Sequence, residues 1–525
     1  MPITLFHELV TVTALKYPNS LAIIHKNQQW SYAELNLLIK KQAQAFNKIG
    51  LNSQERVGIY LPKQIETVSS FLATSLAGGI FVPINPILKA KQVEHILNDC
   101  QIKILITSTN RLHALQYNSL KYKYLKHIIV TDYQYDTITH DYNMPNNIII
   151  SWQKFMNISM SSPINSQSHY SNIATILYTS GSTGKPKGVI LSHNNIITGA
   201  KSVAEYLKIT PHDRLLALLP FSFDYGLNQL TSALIQGASC VLHDYLLASD
   251  TIKTITMQRV TGLAVVPSLL IQLTNSTWPT NTQLRYLTNS GGQLPLANIK
   301  LLQKQLPAIN IYAMYGLTEA FRSTYLEPAE FKHRPTSIGK AIPNATLTVI
   351  NSNGLRCKAN EIGELVHSGP LVSLGYWNNI KETEKRYKPS PLQLNEQPCK
   401  EIAVWSGDKV YFDDEGYFYF VGRDDDMIKT SGYRVSPTDI ETEAYNSGLI
   451  NEAVAIGIPH ETLGQCIYLI VTSSSNDFTI PQLLQYCKQT LPNFMIPTHI
   501  ILLDALPKNP NGKINRLALS QQFQS

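Results

Sequence analysis

The chain has 525 residues, 44% apolar and only 15% charged, with 44 basic and 37 acidic side chains giving a formal net charge of +7. Ordinary hydrophobicity with so few charges excludes a disordered polyelectrolyte, and the length allows several domain-sized units. The basic excess is spread thinly, with no dense Lys/Arg run, which excludes a typical nucleic-acid binder.

In chain order, residues 1–20 lack a basic leader and carry Glu8 inside an apolar stretch, so they read as an amphipathic helix and not a signal peptide. Ser31 and Glu34 form a capping box that opens a helix through Phe46. Residues 57–61 predict a strand stopped by Pro62, residues 67–76 a helix and residues 102–106 a strand. Residues 173–178 predict a buried strand that enters a glycine-rich loop. Ile196, Ile197, Ala200, Val203, Ala204 and Leu207 then form a helical stripe. Residues 215–219, 263–266 and 309–313 predict further strands, and the repeated strand–loop–helix order implies a mostly parallel sheet covered by helices.

From about residue 337 the texture changes to short strands at 345–350 and 363–367, then a hairpin around Asp413–Gly416. A charged stretch at 422–426 follows, then a strand at 453–458, a helix at 481–491 and a polar tail. The class is α/β: a large N-terminal region of stacked mixed sheets with helices and a small β-barrel-like part, then a small α+β domain. The boundary falls between residues 424 and 425. No two of the 6 cysteines have Cys-x-x-Cys spacing, so buried reduced thiols are expected. No stretch of about 18 apolar residues occurs, so no membrane span and a cytoplasmic location are expected.

The most informative segment is residues 178–188, YTSGSTGKPKG. Thr179, Ser180, Ser182 and Thr183 supply hydroxyls, Gly181 and Gly184 free the backbone N–H groups, and Lys185 and Lys187 add charge. Such a loop after a buried strand is a phosphate cradle. It lacks the Gly-x-x-x-x-Gly-Lys-Ser/Thr spacing of P-loop ATPases. Ser182 and Lys185 have the Ser-x-x-Lys spacing of penicillin-binding hydrolases, but Gly184 and Pro186 disfavour the helical turn which that arrangement needs.

This segment resembles the phosphate loop of the adenylate-forming superfamily of acyl-CoA synthetases, peptide-synthetase adenylation domains and luciferases. Four more segments match in order: YGLTE at 315–319, SGD at 406–408, Gly422-Arg423 with KTSGYR at 429–434, and PNGKI at 510–514. FSFDYGLNQ at 221–229 and EAFRSTY at 319–325 are most similar to the exosortase-associated AMP-forming acyl-CoA ligases. The resemblance implies a carboxylate attacking the α-phosphorus of ATP, then a thiol, coenzyme A or carrier-protein phosphopantetheine, displacing AMP.

It further implies that Thr318 touches the α-phosphate, Glu319 holds Mg2+, and Tyr315, beside Gly316, stacks on adenine with Gly291, Gly292 and Gln293 along the base edge. Asp408 and Arg423 would hold the ribose. Lys513 would neutralise carboxylate and phosphate during adenylation. Asp425 would be the hinge of a mobile C-terminal domain whose rotation withdraws Lys513 and presents Lys429. Phe223, Asp224, Asn228, Met314 and Arg322 would line the acyl pocket. Asp224 stands where amino-acid-activating relatives bind an ammonium group; it either does so here or pairs internally with Arg322. A buried charge needs such a partner, and a long plain alkyl tail is disfavoured. The substrate is therefore a small carboxylic or amino acid, and any acyl carrier protein is a separate chain. Amino-acid loading of a carrier, luciferase-like oxidation of the adenylate and non-catalytic nucleotide binding remain the alternatives.

Overall fold

The computed structural model describes residues 2–115, 122–133, 149–158, 168–179, 186–292, 296–392, 401–423, 427–430, 433–460, 463–473 and 478–524, with only the backbone of Lys429, Tyr433 and Arg434. The N-terminal apolar stretch forms two short helices, Glu8–Thr11 and Thr13–Lys16, where one was expected. The run Val10-Thr11-Val12-Thr13 is β-branched throughout and weakens a continuous helix. The helix Tyr32–Lys48 begins at the expected capping box, with the Ser31 side chain accepting from the Glu34 N–H.

Two large sheets carry the first part of the chain. In one, Ile149–Ser151, His127–Val130, Ile104–Thr107, Arg56–Tyr60, Ile80–Pro83, Ile173–Thr179 and Lys187–Ser192 lie side by side. All of these pairings are parallel except the last. That exception adds a strand, Lys187–Ser192, which was not expected between the glycine-rich loop and the expected helix. The loop joins two antiparallel strands, and the helix His193–Tyr206 comes one strand later.

The other sheet has a parallel centre: Leu21–His25, Ser239–Leu242, Arg214–Ala217, Gly262–Val265, Tyr286–Asn289 and Asn310–Tyr315. Its last strand pairs antiparallel with Thr324–Leu326, and the ladder continues through Ser337–Ala341, Phe418–Arg423, Ile402–Phe412, Gly363–Ser368 and Thr346–Ile350. The later strands thus extend the sheet outward. No closed barrel forms among the described residues, so the barrel-like part is an open antiparallel extension.

One apolar core joins both sheets through the helices Ile65–Leu76, His193–Tyr206 and Asp224–Gln236. The last of these is buried on every side from Asp224 to Leu234, as a helix enclosed between layers must be. A smaller sheet begins at Ile428–Thr430 and runs through Gly464–Thr472 and Glu452–His460, with its own core. The polar tail contains a helix, Arg516–Phe523, capped by Asn515 and anchored by buried Leu519. Among the described residues the free cysteines Cys100, Cys240, Cys357, Cys466 and Cys487 are all buried. No helix of the described residues is long and apolar enough to cross a membrane.

Two buried histidines tie the N-terminus to this core. The Phe6 N–H donates to His193 Nδ1 at 3.1 Å, and His7 Nδ1 lies 3.1 Å from Ser75 Oγ. Burial lowers the pKa of His7 to about 4 and that of His193 to about 3. A depressed histidine contributes stability that is present above its unfolded value and lost as pH falls toward the folded one. Thermal denaturation scans should therefore show Tm falling between pH 6.5 and 4, with His7 alone accounting for about 3 kcal/mol by pH 4.

Candidate active site

In open parallel sheets, ligands collect at the carboxyl ends of strands where the chain order reverses. Here the chain leaves Arg214–Ala217 for Ser239–Leu242 on one side, then returns to Gly262–Val265 on the other. The loops at that point deliver Phe223, Asp224 and Val266. The two next strands deliver Asn289–Gly292 and Tyr315–Glu319.

Asp224 opens the buried helix Asp224–Gln236 and is 3% exposed. Its Oδ1 accepts from Thr318 Oγ1 at 3.0 Å, and its Oδ2 lies 3.8 Å from Arg322 Nη1. Burial raises the Asp224 pKa, while Arg322, Lys513 and the Thr318 hydroxyl oppose the rise. The internal pair allowed by the sequence is thus present as an ion pair. Arg322 follows Phe321, whose φ of +56° is costly for a bulky residue. The fully buried Phe321 ring packs where a side chain on Gly199 would stand, and this packing holds the turn that brings Arg322 inward.

The residues expected to hold the nucleotide form a second group. Asp408 and Arg423 are cross-strand partners, and Arg423 Nε donates to Asp408 Oδ1 at 2.7 Å. The Tyr315 hydroxyl donates to Asp408 Oδ2. A carboxylate has about four acceptor positions, so both oxygens of Asp408 keep capacity for a diol. Glu319 is held from the side, with Tyr376 Oη donating to its Oε1 at 2.5 Å. Lys187, at the exit of the glycine-rich loop, donates to Glu382 Oε2 at 2.6 Å and lies 5.7 Å from the Tyr376 ring centre.

Lys513 reaches this place from the C-terminal part of the chain. Asn509 builds its turn: Asn509 Oδ1 accepts from the Asn511 and Lys513 N–H groups, and the Asn509 N–H donates to the Lys513 carbonyl at 2.7 Å. Asn85 Nδ2 donates to the Pro510 carbonyl at 3.0 Å, and Ser268 Oγ to the Gly512 carbonyl at 3.1 Å. These contacts fasten the turn over the strand ends. Lys513 Nζ lies 5.2 Å from the Phe223 ring centre. Burial lowers its pKa, Asp224 and Asp408 raise it, and Arg423 and Arg322 lower it further.

Gly291 makes the approach of Lys513 feasible. Its φ is +87°, and a Cβ there would stand 2.7 Å from Lys513 Cε. Gly291→Ala should slow adenylate formation about tenfold by strain and by crowding the lysine. Thioester formation from supplied adenylate should change little; parallel assays of the two half-reactions check this.

Thr318, Glu319, Tyr315, Asp408, Arg423, Phe223, Asp224, Arg322 and Lys513 are thus linked by contacts or shared fields. Thr179 ends its strand before the loop, and Met314, beside them, accepts from Tyr206 Oη through Sδ at 2.9 Å. Gly292 accepts from Asn289 Nδ2 at 2.9 Å. Gly316 lies against the Arg322 backbone, where a Cβ would be 3.1 Å from Cα. Ser180, Gly181, Ser182, Thr183, Gly184, Lys185, Gln293 and Asp425 lie outside the described residues, as does the Lys429 side chain. The backbone of Lys429 sits in the small sheet opposite Arg434. Tyr376, Glu382, Asn85 and Ser268 are contributors that the sequence reading missed. Each acts through a neighbour far away in the chain, and none has a local pattern that announces it.

A donor set with one carboxylate suits Mg2+, which takes most ligands from phosphate and water. Among the described residues no group of three or more His, Cys, Asp or Glu could hold a metal alone. Glu319 beside the Thr318 hydroxyl therefore fits a phosphate-borne ion and not a protein-caged one.

Comparison with known proteins agrees with this geometry. The AMP-binding enzyme family matches residues 10–377, and the AMP-binding enzyme C-terminal domain matches residues 439–513. Gramicidin S synthase 2 of Brevibacillus brevis is 28% identical over 521 residues, 98% of this chain and 11% of that protein. Tyrocidine synthase 1 of Brevibacillus parabrevis is 27% identical over 529 residues, 98% of this chain and 45% of its own length. The chain thus spans about a tenth to under half of these curated relatives. Among solved structures, the anthranilate CoA ligase AuaEII in complex with anthranoyl-AMP superposes with a TM-score of 0.87 at 24% identity, covering 99% of this chain and 98% of that one. MatB from Rhodopseudomonas palustris, bound to ATP, gives 0.84 at 23% identity, with 99% of both chains covered. At these identities the structures establish a shared fold.

Proposed function

The chain belongs to the AMP-binding enzyme family, and from that premise we propose that it is an ATP-dependent, AMP-forming ligase that activates a carboxylic acid and passes the acyl group to a thiol. In the first half-reaction a carboxylate oxygen bonds to the α-phosphorus, the bond to the β-phosphate bridge breaks, and pyrophosphate leaves. In the second, the thiol sulfur bonds to the acyl carbon, AMP leaves with the acid's oxygen, and the thiol proton is released. Such transfers need charge neutralisation and alignment more than acid–base groups.

The observation that carries this reading is the position of Lys513. A cation on a turn from the C-terminal part of the chain is held against Phe223 and Gly291, buried in the fields of both Asp224 and Asp408. There it would offset the repulsion between carboxylate and phosphate. Thr318 would donate to the α-phosphate, Asp408 and Arg423 would hold the ribose, and the Tyr315 ring and Gly291–Gly292 backbone would hold the base. Ser180 to Lys185 would cradle the outer phosphates, with Lys187 fixing the loop's exit through Glu382. Mg2+ on the phosphates would supply charge neutralisation, with Glu319, oriented by Tyr376, as its protein ligand.

Division of the chain at 424/425, with Asp425 as hinge and Lys429 presented to the thiol after rotation, belongs to the same proposal. It is supported by the separate small sheet that begins at Ile428. The acceptor would be coenzyme A or the phosphopantetheine of a carrier protein, and the setting cytoplasmic. A second reading, amino-acid activation for carrier loading, draws on the gramicidin and tyrocidine synthase relatives. Incubation with ATP, Mg2+, coenzyme A and a panel of acids should release AMP and pyrophosphate together. Release of ADP and phosphate instead would overturn the proposal.

A further inference from the structure

The buried polar groups of the acyl pocket are unevenly satisfied, and the imbalance has a chemical sign. Arg322 is 2% exposed, yet its Nε and Nη2 have no hydrogen-bond partner among the described residues. Its contact with Asp224, at 3.8 Å, is an ion pair beyond hydrogen-bond reach. The guanidinium carbon lies over the Tyr225 ring, 4.3 Å from its centre. A contact over an aromatic ring neutralises charge but supplies no lone-pair acceptor, so these N–H groups stay unmet.

Asn228 is 1% exposed, and both its Oδ1 and its Nδ2 also lack partners among the described residues. It follows Asp224 by one helical turn and so continues the face that meets Arg322. Buried donors left unpaired are costly, and each calls for a completing partner, which at the floor of a binding site is a bound ligand. Asp224, in contrast, accepts from Thr318 and lies in the fields of two cations, Arg322 and Lys513. The three unmet donors, Arg322 Nε and Nη2 and Asn228 Nδ2, outnumber the one unmet acceptor, Asn228 Oδ1, so the site chiefly lacks an acceptor and not a further cation.

We propose that the pocket selects a short acid carrying an oxygen acceptor beyond its reacting carboxylate, a hydroxy, oxo or second carboxylate group, which Arg322 and Asn228 bind. The inference rests on the reading of this site as acid-activating. A pocket built around buried donors rejects analogues that lack the matching acceptor. Plain alkyl acids of equal length should therefore be activated at least about 100-fold less well in kcat/KM.

The test is ATP–pyrophosphate exchange with length-matched sets: butyrate against 4-hydroxybutyrate and succinate, pentanoate against glutarate and 4-oxopentanoate, with glycine, alanine and proline alongside. Preference for the oxygenated members supports the proposal. Arg322→Met, and Asp224→Asn with Arg322→Met so that no charge is left alone, should then bring the preference to near unity. Equal or better exchange with plain acids overturns the inference while leaving the ligase activity standing, and so does exchange confined to the amino acids. No exchange with any acid overturns the proposed function itself, and the inference with it.

Discussion

Lys513→Ala should slow acyl-adenylate formation by ~10²–10³-fold, the usual cost of removing one preorganised charge from a site of developing charge. The variant should still form thioester from supplied adenylate at close to the parental rate. The asymmetry follows from how the lysine is held. Its turn is closed by Asn509 and pinned by Asn85 and Ser268, so the amine enters the site as part of a separate element. Burial lowers the Lys513 pKa from the ordinary 10.5, with Asp224 partly restoring it. The cation is thus lost as pH rises through this lowered value. Adenylation by the parent chain should fade on the alkaline side earlier than an ordinary lysine would dictate, and the variant should lack that limb. Single-turnover assays of each half-reaction across pH read both effects.

Asp408→Ala should lower kcat/KM for ATP by about 10²-fold or more, because the truncation removes a buried carboxylate that engages two partners, one of them half-exposed, and that would hold the ribose. Those partners are Arg423 Nε, at 2.7 Å, and the Tyr315 hydroxyl. The loss should fall on ATP and not on the acid, since Asp224 is held by Thr318 and Arg322 and not by the partners of Asp408. Asp408→Asn keeps one acceptor and the shape, and should lie between. Titration calorimetry with ATP, alongside a thermal scan to confirm folding, separates lost affinity from lost structure.

The features legible in the sequence are local. The Ser31–Glu34 capping box, the strand ending at Thr179 and the hairpin around Asp413 each depend on residues a few positions apart, and each is present. Where the reading slipped, a nonlocal pairing had decided the outcome. Residues 187–192 form a strand because Ile173–Thr179 offers them an edge. Among the described residues the late strands close no barrel, because the ladder from Asn310–Tyr315 runs outward.

The same division holds within the site. The motifs around Asp408, Glu319 and Lys513 mark these residues as site candidates from the sequence alone. That Tyr376 steers Glu319, Glu382 engages Lys187 and Gly291 makes room for Lys513 was not readable there, because each contact spans at least 57 positions. The orphaned donors of Arg322 and Asn228 belong to this second kind. Unmet hydrogen bonds exist only once the packing is known.

The central claim, that the acid's own carboxylate attacks the α-phosphorus, is tested most directly by isotope transfer. An acid that supports turnover is labelled with 18O in its carboxyl group, the full reaction is run with ATP and thiol, and the AMP is analysed by mass spectrometry. The predicted result is one 18O atom in the phosphate of AMP for each thioester formed. AMP without label, or label found in inorganic phosphate beside ADP, would contradict it.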